Sequence, residues 1–134
     1  MAANKLVRFG PVALTTTTTT NLLNPGTTTG GTGMPGTSTN LYFVIRHIRV
    51  VNKTASAAQV ALWIGATGAN AAGTEAIFGG VASAGALTRG VSIAGQSYAD
   101  WYGQLTLDVA DFLVGGSDTA TALTLEAEGE IGIR

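Results

Sequence analysis

The C-terminal segment "TALTLEAEGEIGIR" constrains the fold more than any other stretch: Leu123, Leu125, Ala127, Ile131 and Ile133 alternate with Thr124, Glu126, Glu128 and Glu130. A period of two over this length specifies a β-strand with one buried and one solvated face. The same alternation recurs in "AQVALWIG", with Val60, Leu62 and Ile64 against Gln59, Ala61 and Trp63. It recurs again in "GQLTLDV", with Leu105, Leu107 and Val109 against Gln104, Thr106 and Asp108. Half-buried strands of this kind belong to antiparallel sheets.

"LYFVIRHIRVVNKT" breaks the rule, because Phe43 and Ile45 have one parity and Ile48 and Val50 the other. A β-bulge near Arg46 and His47 restores a single buried face and turns Arg46, His47 and Arg49 outward. Further strands are expected at Leu6–Phe9, Leu87–Ile93, Ser97–Tyr102 and Phe112–Val114, and at most one helical turn between Thr74 and Gly85. High Gly and β-branched content argues against longer helices. With 134 residues, the chain is the size of one domain and can bury roughly two-thirds of its unfolded surface. The expected fold is therefore all-β, an antiparallel β-sandwich or jelly-roll-like single domain over residues 1–134.

Two low-complexity features need placing in that fold. Six consecutive threonines follow Val12 and Leu14 and are closed by Leu22, Leu23 and Pro25. Apolar bookends and β-branched side chains predict that Val12 to Leu23 is an ordered strand of the core sheet. Residues 24–40 form a long Gly/Thr-rich segment, with Thr27 to Asn40 expected as an exposed loop. Residues 1–14 are expected to be an extended N-terminal arm, and Ala2 to Leu14 are able to add a strand to a neighbour's sheet edge.

Charge and composition narrow the function. Seven Lys and Arg against eight Asp and Glu give a net charge of −1, so no field gathers nucleic acid or an anionic membrane. Charged residues make up only 11% of the chain, a surface that is poor at staying solitary. The chain has no cysteine, which excludes disulfides, zinc thiolates and Cys nucleophiles. "MAANKLVRFGPVAL" lacks an apolar run of signal length and no later stretch approaches a membrane span, which points to folding in a cytoplasm.

No constellation in the chain assembles a catalytic site. Gly31, Gly33 and Gly36 match G-x-G-x-x-G literally, but Thr-rich sequence precedes them, Pro35 lies inside, and a strand rather than a helix follows. His47 is the sole histidine and reads as an outward or interfacial ring. Glu126, Glu128 and Glu130 read as a solvated stripe, paired with Arg46 and Arg49 on a neighbouring strand, rather than a cation site. Asp108, Asp111 and Asp118 are assigned to turns and capping, and "NKT" at Asn52–Thr54 to a turn after a strand rather than a glycosylation site. No catalytic residue, metal site or cofactor is expected, and no enzyme.

Trp63, Trp101 and Tyr102 raise the prospect of an aromatic platform. Trp63 has outward parity, which calls for a cover; a subunit interface supplies one as readily as a glycan, and the interface is the preferred reading. Arg46, His47, Arg49, Trp63, Trp101 and Tyr102 are thus the candidate interface residues.

The order "VALTTTTTTNLLNP", "YFVIRHIRVVNKTASAAQVALWIG", "GQLTLDVADFLVGGSDTATALTLEAEGEIGI" resembles small β-rich structural proteins of tailed bacteriophages. The shared pattern is a Thr-rich strand ending at a Pro, an "IRHIRVVN"-like strand, a "V-x-L-x-I" strand, an "L-x-L-x-x-x-D-x-L" turn and an alternating C-terminal strand. The resemblance covers most of the chain and implies a head decoration (cement) protein. Its partner would be the major capsid protein, its own state a homo-oligomer, trimer favoured, and its location the outer capsid surface of the virion, after assembly in the host cytoplasm. A tail or baseplate accessory protein and a carbohydrate-binding attachment module are the alternatives. The long Gly/Thr insertion between Asn24 and Asn40 departs from the pattern, where a short Pro-Gly turn is usual.

Overall fold

The computed structural model describes residues 5–25, 41–65, 75–83 and 85–133. The Thr27–Asn40 loop, its glycine fingerprint and the first four residues lie outside them. Eleven strands and no helix are formed among the described residues. They are β1 (Lys5–Ala13), β2 (Asn21–Leu23), β3 (Leu41–Asn52), β4 (Ala58–Gly65), β5 (Glu75–Phe78), β6 (Val81–Ser83), β7 (Ala86–Arg89), β8 (Val91–Ile93), β9 (Tyr98–Leu107), β10 (Phe112–Ser117) and β11 (Leu123–Ile133).

Two antiparallel sheets and a hairpin contain these strands. The first sheet runs β1-β11-β3-β9; the second runs β2-β10-β4, with β5 and β8 sharing the far edge of β4; β6 and β7 pair with each other. Alternation decides which residues line the interior. From the first sheet, Phe9, Phe43, Ile45, Ile48, Val50, Leu105, Leu107 and Leu125 meet Leu22, Val60, Leu62, Leu113 and Ile93 from the second in one buried cluster. This is the expected all-β sandwich-like domain, with side chains of the two inner faces interdigitating. Phe9 and Phe43 stack at a tilt within it, ring centroids 4.7 Å apart.

The bulge predicted from the parity break in β3 is present. Glu128 pairs with His47 and Gly129 with Ile45, which leaves Arg46 as the extra residue. Phe43, Ile45, Ile48 and Val50 all reach the core as a result, while Arg46 is exposed. Gly129 sits opposite the bulge, where an added Cβ would run into the Val44 carbonyl.

Four expectations change. The threonine run is not a strand: Thr15–Thr20 cross from β1 in one sheet to β2 in the other, so the chain has to turn there. The turn is held by Thr20 Oγ1 donating to Thr17 O at 2.7 Å and by a 2.8 Å bond between the Thr15 and Thr20 hydroxyls. Leu14 and Leu22 enter the core from opposite sides of this turn, and Ser117 and Gly115 of β10 donate their N–H groups to the Thr15 and Thr20 carbonyls.

The segment expected as an arm is, over Lys5–Ala13, the edge strand of the chain's own first sheet, paired with β11 from Lys5↔Ile131 to Ala13↔Thr124. A bulge lies between Phe9 and Val12, where Gly10 takes a φ of 90° and the Gly10–Pro11 peptide is cis.

The stretch allotted a helical turn, Thr74 to Gly85, holds β5 and β6 instead. Pairing with β4 and the burial of Phe78 in the core favour the extended form there.

Lastly, β4 is buried on both faces rather than one. Val60 and Leu62 enter the core, whereas Ala61 and Trp63 join Val114 on the outer face, covered by Ala82, Leu87 and Phe112. The β6-β7 hairpin thus roofs the second sheet, and among the described residues the outer face of the first is the open one.

Candidate interaction face

On the outer face of the first sheet, period-two alternation projects one side chain in two from each of four strands. β1 contributes Leu6 and Arg8; β11 contributes Glu126, Glu128 and Glu130; β3 contributes Arg46, His47 and Arg49; β9 contributes Tyr98, Asp100, Tyr102 and Gln104. Register puts Arg8, Glu128, His47 and Tyr102 on one level, and Glu126, Arg49 and Asp100 on the next.

Asp100 is the centre of the face. Arg49 Nε donates to Asp100 Oδ1 at 2.7 Å and Arg49 Nη2 to Oδ2 at 3.0 Å, a parallel fork. His47 Nε2 lies 2.8 Å from Oδ1. An ionised carboxylate only accepts, so this ring nitrogen carries the proton and donates. The Arg49 fork holds the Asp100 carboxyl down at about 2 against an ordinary 3.8; partial burial opposes the shift and the His47 bond adds to it. The same hydrogen bond pushes Arg49 further above its ordinary value.

Two tyrosines complete the arrangement. The Arg49 guanidinium lies 4.2 Å from the Tyr98 ring centroid, a cation–π contact. The His47 and Tyr102 rings stack at 4.6 Å with an interplanar angle of 11°. Tyr98 and Tyr102 nevertheless remain 56% and 70% exposed, and Leu6 is 85% exposed. The two tyrosines are therefore held by these contacts yet open, so they would lose little rotamer freedom when a partner covers them.

Beside the bulge, Arg46 reaches Glu130 Oε2 through Nη2 at 2.7 Å and through Nε at 3.0 Å. One half of the pairing expected for the acidic stripe is thus present, while Arg49 turns to Asp100 instead. Leu6, Val7, Arg8, Arg46, His47, Glu128 and Gly129 line a shallow hollow of about 420 Å³ on this face.

Of the six candidate residues, the structure brings four together: Arg46, His47, Arg49 and Tyr102. Trp101 packs toward the core, with its ring lying over Gly103. Trp63 is 5% exposed, and in this chain it is covered by Ala82 and Leu87 of the β6-β7 hairpin and by Phe112. Sequence reasoning missed Tyr98 and Asp100. In "YADWY" they share the parity of Tyr102, opposite to Ala99 and Trp101, and that alternation is the signal that finds them.

The other polar motifs have structural duties. Asn52 is buried; its Nδ2 donates to Ile93 O at 3.0 Å and Ser56 O at 2.9 Å, and its Oδ1 accepts from Thr54, so the sequon is a pinned turn. Asp111 Oδ2 accepts the Asp108 N–H at 2.9 Å and Asp118 Oδ1 the Gln59 N–H at 2.8 Å, both turn and edge roles. Among the described residues, no three His, Asp or Glu side chains group so as to hold a metal ion. The chain matches no protein-family model, no curated protein and no solved structure.

Proposed function

We propose that this chain is a non-enzymatic structural protein of a tailed-phage virion, a decoration (cement) protein that binds the outer head surface and stabilises the shell. The observation that supports this reading is the open face of the first sheet, where one carboxylate locks an Arg, a His and, through them, two exposed tyrosines. Tyr and Arg are the residue types that anchor protein interfaces, and pre-ordering them lowers the entropy lost on docking. Attribution to a phage head rests on the strand-and-turn resemblance, which also carries the trimer and the capsid protein as partner.

Mass spectrometry of separated heads and tails tests the location: enrichment on heads is expected, and recovery on tails alone would transfer the reading to a tail or baseplate accessory protein. Cementing is tested by the survival of particles with and without the protein under heat or low salt. Equal survival would count against it. Tyr98 and Tyr102 are also what a carbohydrate-binding module would stack on a sugar, now that Trp63 is covered. Glycan-array binding that a Tyr98→Ala, Tyr102→Ala variant loses would favour that alternative.

A further inference from the structure

The charges on the open face alternate in sign across the sheet. β1 presents Arg8, β11 presents Glu126, Glu128 and Glu130, β3 presents Arg46, His47 and Arg49, and β9 presents Asp100 between two tyrosines. Strand by strand the order is cationic, anionic, cationic, anionic. Rotation by half a turn about the midline between β11 and β3 exchanges β11 with β3 and β1 with β9, so the acidic stripe of β11 meets the basic stripe of β3, and Arg8 meets the tyrosine-flanked stripe of β9. A pattern that complements itself under a two-fold rotation is what an isologous contact requires.

We propose that this face pairs with the same face of a second copy of the chain, about a two-fold axis along the strands between β11 and β3. An axis parallel to the strands keeps the level of every residue. Glu126 then opposes Arg49 of the second copy, Glu128 opposes its His47, and Arg8 opposes its Tyr102. Glu126, Glu128 and Arg8 make no ion pair among the described residues, whereas Arg46, His47 and Arg49 are each held by one carboxylate. The unmatched acids of one copy thereby face a guanidinium and an imidazole of the other. The exposed Leu6 and Tyr102, on opposite edges of the sheet, are covered by the same rotation.

Four strands at about 4.8 Å spacing and about nine residues of length present about 600 Å² per copy, near the low end for specific interfaces. The contact is therefore weak, polar and sensitive to salt. It closes at two copies; if the chain also forms three-fold contacts, the same face joins two trimers. A capsid surface and a second copy would compete for this face, so association of the free protein tests the pairing, whereas head binding and particle survival test the phage role.

Sedimentation velocity over a concentration series is the first measurement. Even-numbered species are expected, falling as NaCl rises from about 0.05 to about 0.5 M. The Glu126→Lys, Glu128→Lys variant should unfold thermally as the parent does and lose the association. The chain has no cysteine, so one introduced thiol reports one position. Next to the axis, Glu128→Cys copies lie about 5 Å to the side of each other, whereas Thr106→Cys copies on the edge strand lie about 14 Å apart. A short bis-maleimide should join the first and not the second. A chain that stays monomeric or purely trimeric, pairing that survives the two lysines or high salt, or equal cross-linking at both positions would overturn the proposal.

Discussion

Asp100 accepts three hydrogen bonds, two from Arg49 and one from His47, and its role is positional: it sets the Arg49 fork and the His47 ring so that Tyr98 and Tyr102 have partners to lie against. The carboxyl titrates at about 2 in the folded chain and near 3.8 when unfolded, so the folded state binds fewer protons between those values. Its stabilisation is complete above the unfolded value and is lost as pH falls through that window. Urea midpoints measured from pH 5 down to about 2 should fall in the parent, and Asp100→Asn should remove part of the slope. At neutral pH the same variant should be less stable. Thr18 is a residue of the opposite kind. It is fully buried, its N–H donates to Gly85 O at 2.8 Å, and its Oγ1 has no partner among the described residues. Thr18→Val keeps the shape and removes the orphan hydroxyl, so urea unfolding should show a gain of up to about 1 kcal/mol. A loss would show that the hydroxyl has a partner.

The β6-β7 hairpin is tied to the threonine turn by the Thr17↔Ala86 bridge and the Thr18 N–H to Gly85 O bond, and its apolar packing on the second sheet comes from Ala82 and Leu87, which help to hide Trp63. Leu87→Asp should lift the hairpin without dissolving the sandwich. In a Trp101→Phe background, where Trp63 is the sole indole, emission should then shift to the red and quench more readily with acrylamide; unchanged emission would mean that the cover lies elsewhere. This element also shows where sequence reading stops. Strands β4, β9 and β11 and the bulge at Arg46 are legible because alternation is a local property of a few residues. "VAS" and "ALTR" carry no such pattern, so nothing local announces that they will roof Trp63. The threonine run misled for a related reason: its β-propensity is real, but Leu14 and Leu22 belong to different sheets, and that long-range demand forces a turn. In the interaction face, outward parity marked Arg46, His47 and Arg49, while the Asp100 partnership awaited knowledge that β9 lies beside β3.

For the whole molecule, the decisive arrangement is that the first and last of the described strands pair with each other. β1 lies against β11 over its full length, and Phe9 sits fully buried against Phe43 from the next strand but one. Such pairing closes a loop of almost the entire chain, so its entropy has to be offset by burial that forms late. An arm kept for a neighbour would be dispensable to the isolated chain; a core edge strand would not. Phe9→Ala should cost about 3–5 kcal/mol, a large part of the 5–15 kcal/mol that holds a typical domain together. Removal of residues 1–13 takes away Phe9 and the packing of Val7 and Val12, and bares the backbone edge of β11. An apolar strand edge of that length invites pairing with other chains. The truncated chain should therefore lose cooperative thermal unfolding and aggregate, as read by circular dichroism and light scattering. A shortened chain that stays soluble and melts at the parental temperature would return this segment to the role of a detachable arm.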